Sequence, residues 1–240
     1  QECGTARRHE ARGCRICLVE ARGRLLHLEG QEAGARLSGL TGMFGPAGTP
    51  GEWTLSATLA CMVLMWFADD LGYYLFHYAS HKVPFLWAFH KVHHSIRELS
   101  ATCSYHHPLE DLCEFFLILL PVALFVRFDS GSTLPAWLAL VLSTQVYFIH
   151  SSVNIDIGPL RYIFGENRFH RIHHSLEPQH FNKNFGTITP LFDVLFGTAY
   201  FPKKGEWPAT GLADTPEPDR IFEFVAMPFQ PSSSPVQTTA

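Results

Sequence analysis

Two nearly identical hexapeptides, His90-Lys-Val-His-His-Ser95 and His170-Arg-Ile-His-His-Ser175, carry the side chains best suited to chemistry in this chain. Each sets three imidazoles at i, i+3 and i+4, along one side of a helix. Imidazole nitrogen is a ligand for zinc, copper, iron and nickel. A chain that builds such a side twice is suited to holding metal between two halves. His77 and His81, spaced i, i+4, lie just upstream, and His150 closes an apolar run 20 residues before the second hexapeptide. Only His9 and His27 of the 14 histidines fall outside residues 77–180. Nine candidate ligands result: His77, His81, His90, His93, His94, His150, His170, His173 and His174. One metal takes about four to six ligands, so nine imidazoles call for two metals, or for one metal with several bystanders. His106, His107 and His180 have no helical partner at ligand spacing, and each is either an additional ligand or a packed polar residue.

The elements that must position these groups are helical and apolar. Hydrophobic residues make up 47% of the 240, aromatic residues 13% and charged residues only 17%, below the usual quarter. That balance points to a membrane protein. An apolar run over 55–76, broken late by Asp69 and Asp70, has the length of a bilayer span. Two shorter runs, 112–128 and 134–149, flank the turn sequence Asp-Ser-Gly-Ser-Thr at 129–133 and read as a helical hairpin; the alternative is a pair of buried helices in a soluble bundle. If the first run spans and the hairpin leaves and returns, every histidine group meets at one membrane face. Lys82, Lys91, Arg161 and Arg168 lie on that side, against Arg36 and Arg127 on the other, so the positive-inside rule makes the metal face cytoplasmic. Trp53, Tyr73, Tyr74, Trp87 and Trp137 are candidate interface aromatics, although core packing accounts for them equally. The expected fold is an all-α integral membrane helical bundle with a cytoplasmic, histidine-rich di-metal site.

The rest of the chain bounds the function. The six cysteines form no disulfide framework, and the single Cys14-x-x-Cys17 has no second pair to make a zinc site. Residues 1–50 are rich in Arg, Gly, Ala and Glu, carry no signal-peptide apolar core, and read as a disordered or non-native arm. The chain begins with Gln and is read as a fragment or a processed form. Residues 51–202 form the expected membrane-bound domain. Residues 203–240 are a Pro-rich segment whose 221–229 stretch packs back on the domain and whose last ten residues form a tail. The formal charge of −4 has no basic stripe behind it, so no nucleic-acid partner is expected.

The order His77-x3-His81, His90-x2-His93-His94, an isolated His150 and His170-x2-His173-His174 resembles the fatty acid hydroxylase/sterol desaturase superfamily. The flanks resemble it too: Asp70-x2-Tyr73-Tyr74-x2-His77 before the first box, His107-Pro-Leu-Glu110 between the halves, then Asn184-Phe-Gly186 and Asp193-x2-Phe196-Gly-Thr198. The resemblance covers about residues 53–202. Tyr78 stands where the family often has Arg after its first histidine, Ser104-Tyr105-His106 lacks the Arg common before the His-Pro-Leu-Glu motif, and only one span precedes the first box. The resemblance implies a membrane enzyme with a histidine-held, non-haem pair of irons. It would use dioxygen and external electrons to hydroxylate or desaturate a fatty acyl, sterol or carotenoid lipid. It assigns the nine histidines as metal ligands. Asp70, Glu110, Asn154, Asn184 and Asp193 are candidates to orient imidazoles through the second ring nitrogen, or to cap helices and loops.

The chemistry is consistent with that implication. A lipid C–H bond offers no leaving group, so attacking it needs a redox metal and oxygen rather than acid–base work. Zinc fits the same nitrogens without that redox chemistry. No dinucleotide-binding glycine fingerprint or iron–sulfur cysteine cluster is present, so electrons are expected from a separate ferredoxin, rubredoxin or cytochrome with its reductase. The expected membrane is a bacterial inner membrane or the endoplasmic reticulum. The rival readings are a zinc-dependent membrane hydrolase and an inactive metal-binding relative.

Overall fold

A computed structural model describes residues 55–120 and 134–230. The N-terminal arm, Trp53, the turn at 129–133, the far half of the second apolar run and the last ten residues lie outside the described residues. The described chain is helical, with no strand and only two isolated bridges, Ser100 with Cys103 and Ser175 with Thr210.

Helix α1, Leu55–Lys82, carries the first apolar run into His77 and His81. Pro84 restarts the chain as α2, Pro84–His94, because a proline at the first helical turn gives up only an N–H that has no helical partner. Helix α3, Pro108–Glu114, begins the same way. His107 is its N-cap, and its Nδ1 accepts the Leu109 N–H at 3.2 Å. That helix continues as a π-helical turn over Phe115–Leu119, which lays Ile118 against Gly72 of α1. Helix α4, Leu134–Ile149, leads into His150, α5 is Asn167–His173, and α6 is Leu191–Phe196. Helix α7, Ile221–Ala226, closes the described chain with a 3-10 turn over Met227–Phe229.

Among the described residues no helix is long and apolar enough to cross a membrane. The 55–76 run does form one helix, but Asp70 and Ser80 of that helix are buried in the protein, Asp70 against the Ile188 and Thr189 backbone. The arm at 134–149 is a helix of 16 residues. Two of the four cations counted for membrane orientation are also buried. Lys91 donates to the Gln230 carbonyl, and Arg168 pairs with Asp156 and donates to the Lys203 carbonyl.

Two apolar clusters brace the helices. Tyr74 of α1 packs with Phe185 and Phe192. Val92 and Ile96, at the end of α2, pack with Leu99, Tyr105, Phe224 and Met227. The second cluster draws Phe224 and Met227 from the C-terminal segment, so residues 203–230 act as a strap across both hexapeptides. Lys91 and Arg171 occupy the same position in the two hexapeptides. Each grips a strap carbonyl, Gln230 at 3.2 Å and Pro208 at 2.8 Å.

Candidate metal centre

All nine expected ligands are buried and fall into two groups. His77, His81, His90, His94 and His173 form one, and His93, His150, His170 and His174 form the other, with ligand nitrogens within 4.8 Å of one another in each. The two halves exchange a residue: His173 of α5 joins the group from α1 and α2, and His93 of α2 joins the group from the second half. The groups touch, with the His94 and His174 rings stacked at 4.4 Å.

The second ring nitrogens fix the orientation of the first. Nδ1–H of His77 donates to the Phe185 carbonyl at 2.7 Å, His93 to Tyr105 at 3.1 Å, His150 to Val146 at 2.8 Å and His173 to Lys183 at 2.8 Å. A carbonyl only accepts, so the proton of each neutral ring sits on Nδ1 and Nε2 keeps its lone pair. His93 Nε2 and His150 Nε2 nevertheless face each other at 3.3 Å. Two bare lone pairs at that distance repel unless a cation lies between them.

Spacing supports the same conclusion. Nitrogens bound at about 2.1 Å to one ion lie about 3.0 Å apart when adjacent. Facing Nε2 atoms are separated by 3.1 Å for His77 and His90, 3.0 Å for His94 and His173, and 2.9 Å for His150 and His170. Both nitrogens of His81, and Nδ1 of His170 and His174, are buried without a hydrogen-bond partner. The donor set therefore fits two nitrogen-loving metal ions. The third candidate group, His90, His106 and Glu110, does not. Glu110 Oε1 is 2.5 Å from His90 Nδ1, too close to admit an ion between them, and the carboxylate instead orients His90 directly. A cation at His90 Nε2 selects the arrangement in which Nδ1–H donates to Glu110.

Burial pushes eight of the nine imidazole pKa values down, His90 to about 3 and His77, His81, His93, His94, His170, His173 and His174 well below their ordinary value. The rings are thus neutral, the form that binds metal. An unfolded histidine titrates near 6.5. Between that value and the depressed folded value the unfolded chain binds more protons, so stability falls as pH falls. Acidification from pH 7.5 to 5 is expected to lower the melting temperature and release metal together, at up to about 1.4 kcal/mol per pH unit for each ring concerned. A melting temperature that stays flat over that range would contradict the assignment.

The other expected residues divide by what they touch. Glu110 alone of the five polar candidates bonds to a ligand ring. Asp70 accepts from the Ile188 and Thr189 N–H groups and the Thr189 hydroxyl. Asp193 accepts from the Phe185 and Gly186 N–H groups and from Thr198. Asn184, at φ 61, bridges the Phe169 and Tyr200 backbones. These three do not orient imidazoles themselves. They hold the 183–189 loop, whose Lys183 and Phe185 carbonyls do. Asn154 is exposed. His106 stacks on His93 at 3.9 Å, His107 caps α3 and stacks on Phe224, and His180 lies between Ser175 and Glu206. The carbonyl acceptors have no residue-type signature, and only the Asn184-Phe-Gly186 motif marked one of them.

That loop is tightly built. A Cβ on Gly186 would collide with the Thr189 carbonyl oxygen and sit 2.9 Å from Asp193 Oδ2. Gly186→Ala is expected to cost about 2 kcal/mol or more, read as a lower melting temperature with reduced metal content. Unchanged values for both would show that the loop does not govern His77 and His173.

Comparison with known proteins decides the family. The fatty acid hydroxylase family matches residues 62–198. The chain belongs to that family. It is 29% identical over 160 residues to human alkylglycerol monooxygenase, covering 67% of this chain and 34% of the relative. Zebrafish (Danio rerio) alkylglycerol monooxygenase is 30% identical over 129 residues, covering 54% of this chain and 28% of the relative. The ornithine lipid hydroxylase OlsE of Rhizobium tropici is 30% identical over 158 residues, covering 65% and 45%. The chain therefore spans less than half the length of these curated relatives. No solved structure matches it significantly.

Proposed function

We propose that the protein hydroxylates, or desaturates, a lipid C–H bond at a pair of irons, using dioxygen and electrons from a separate donor. The observation that carries this reading is the division of nine neutral imidazoles into touching groups of five and four. His77, His81, His90, His94 and His173 would hold one iron, and His93, His150, His170 and His174 the other. Bound there, the irons supply the redox chemistry that an unactivated C–H bond demands.

The chain's own residues do the remaining work. Carbonyls of Phe185, Lys183, Tyr105 and Val146 keep Nδ1 protonated and Nε2 available, and Glu110 does the same for His90. Burial of every ligand keeps the rings neutral and excludes bulk water from a reactive centre. Relatives named for an alkylglycerol and an ornithine lipid suggest a substrate with a long chain and a polar head. We place the protein in a membrane as a multi-pass protein, with the metal site at the cytoplasmic face. A ferredoxin, rubredoxin or cytochrome with its reductase is the proposed donor.

The test is metal analysis with Mössbauer spectroscopy on iron-replete, detergent-purified protein, followed by turnover of an alkylglycerol or ornithine lipid under ¹⁸O₂ with an added donor. About two irons per chain, expected from two groups of four to six ligands, and ¹⁸O in the product support the reading. Stoichiometric zinc without iron overturns it in favour of hydrolysis or an inactive relative.

A further inference from the structure

The strap changes sign along its length. It opens with Lys203 and Lys204, both exposed, and runs on past Asp214, Glu217, Asp219 and Glu223 against Arg220. Neighbouring segments add to the positive end. Arg161 donates to the Pro202 carbonyl at 3.5 Å, and Arg168 to the Lys203 carbonyl at 2.6 Å. Asn184 bonds both the N–H and the carbonyl of Tyr200, which brings Lys183 alongside. These five cations are half of the lysines and arginines among the described residues, whereas most of the described carboxylates lie elsewhere. Arg168 is matched by Asp156 at 2.9 Å. Arg161, Lys183, Lys203 and Lys204 form no ion pair among the described residues. Tyr162, 56% exposed, lies against Arg161 and meets the Phe201 ring at 4.8 Å, so an open aromatic ring stands among the cations.

The patch is joined to one metal ligand. Of the four carbonyls that hold a ligand Nδ1–H, those of Phe185 and Tyr105 belong to buried residues and that of Val146 to apolar α4. The fourth belongs to Lys183, a charged residue that reaches the surface. A single hydrogen bond of 2.8 Å therefore separates the patch from His173. We propose that Arg161, Lys183, Lys203 and Lys204 form the docking face for the electron donor, a small redox protein with acidic residues around its redox centre, and that electrons enter through Lys183 and His173. Each encounter oxidises the partner's centre by one electron and reduces the metal of the five-histidine group by one. The inference deepens the proposed iron chemistry and rests on it. Charge steers such short-lived encounters, and the contact they need is small. An anionic lipid surface, by contrast, rewards a run of one sign. Here Asp156, Glu177 and Glu206, all partly exposed, interrupt the cations, which suits register with a particular protein.

The test uses the full chain in phosphatidylcholine nanodiscs, with an acidic [2Fe–2S] ferredoxin, a rubredoxin and cytochrome b5 as probes. Lys203→Gln with Lys204→Gln removes two exposed charges and leaves every ligand carbonyl in place, so metal content and circular dichroism are expected to match the parent. Stopped-flow oxidation of the fastest reduced probe by iron-loaded protein should be about tenfold slower at low salt in this variant, with a shallower salt dependence. Line broadening of the same probe, oxidised and ¹⁵N-labelled, by zinc-loaded protein should weaken in parallel. The control is Ala213→Glu with Thr215→Glu, the same change of net charge at the other end of the strap, and it should alter the rate by less than about twofold. A rate that the lysine variant lowers no more than the control does would overturn the docking face. So would the absence of salt-dependent binding by every probe. An effect that appears only when phosphatidylserine is added would assign the patch to lipid instead and overturn it too. Failure of the surface and failure of the hydroxylase reading give different results. Probe binding that the lysine variant weakens, without turnover of any lipid, keeps the surface and loses the hydroxylase. Lipid turnover driven by a donor that ignores those lysines loses the surface alone.

Discussion

Replacing His173 by alanine is expected to abolish activity and to empty the five-histidine group of metal. His173 comes from α5, whereas its four companions come from α1 and α2. Its loss removes a ligand and also the donor to the Lys183 carbonyl, so the link between the two halves fails at one point. His93→Ala is the converse experiment and should be harsher, since it leaves three ligands where four stood. Loss of a partner that merely orients a ligand costs about 10–100-fold in affinity or activity, so loss of a ligand should exceed about 100-fold. His180→Ala is the control. That ring is equally buried but belongs to neither group, and contacts Ser175 and Glu206 instead. It should keep both metals and lose only stability. Full activity and metal content in His93→Ala or His173→Ala would end the site assignment.

The exchange of His93 and His173 shows what a sequence yields and where it stops. Helical spacing advances about 100° per residue. His90 and His94 therefore point within about 40° of each other, while His93 points about 100° from His94. The i and i+4 rings serve one metal and the i+3 ring the other, in α2 and again in α5. The division was implicit in the hexapeptide, but which distant ring completes each group depends on how the helices cross. The polar residues around the ligands were harder to read. Asp70, Asn184 and Asp193 act on the 183–189 backbone, a role that spacing cannot distinguish from direct contact with a ring. The strap was half legible: an apolar stretch at 221–229 signals packing, but nothing in it tells that Lys91 and Arg171 hold the chain from matching positions. Lys91 and Arg168, two of the cations counted for orientation, serve buried carbonyls and Asp156.

Removing the metals is expected to destabilise the fold as well as stop the reaction. Without cations, the lone pairs of His93 and His150 face each other at 3.3 Å with no proton to share. His81, neither of whose buried nitrogens has a protein partner, loses its only prospective one, and burial opposes protonation as a substitute. An ion held at about a thousand times its dissociation constant adds about 4 kcal/mol to stability. For a domain of this size each kcal/mol moves the melting temperature by about 2–4 °C. Chelation verified by metal analysis should therefore lower it by about 10 °C or more per ion, and restored iron should reverse the loss. These sites join α1, α2, α4 and α5, so the change should be global and cooperative rather than confined to one loop. An unchanged melting temperature after verified metal removal would mean that the imidazoles are satisfied by packing alone, and the metal-centre reading would fall with it.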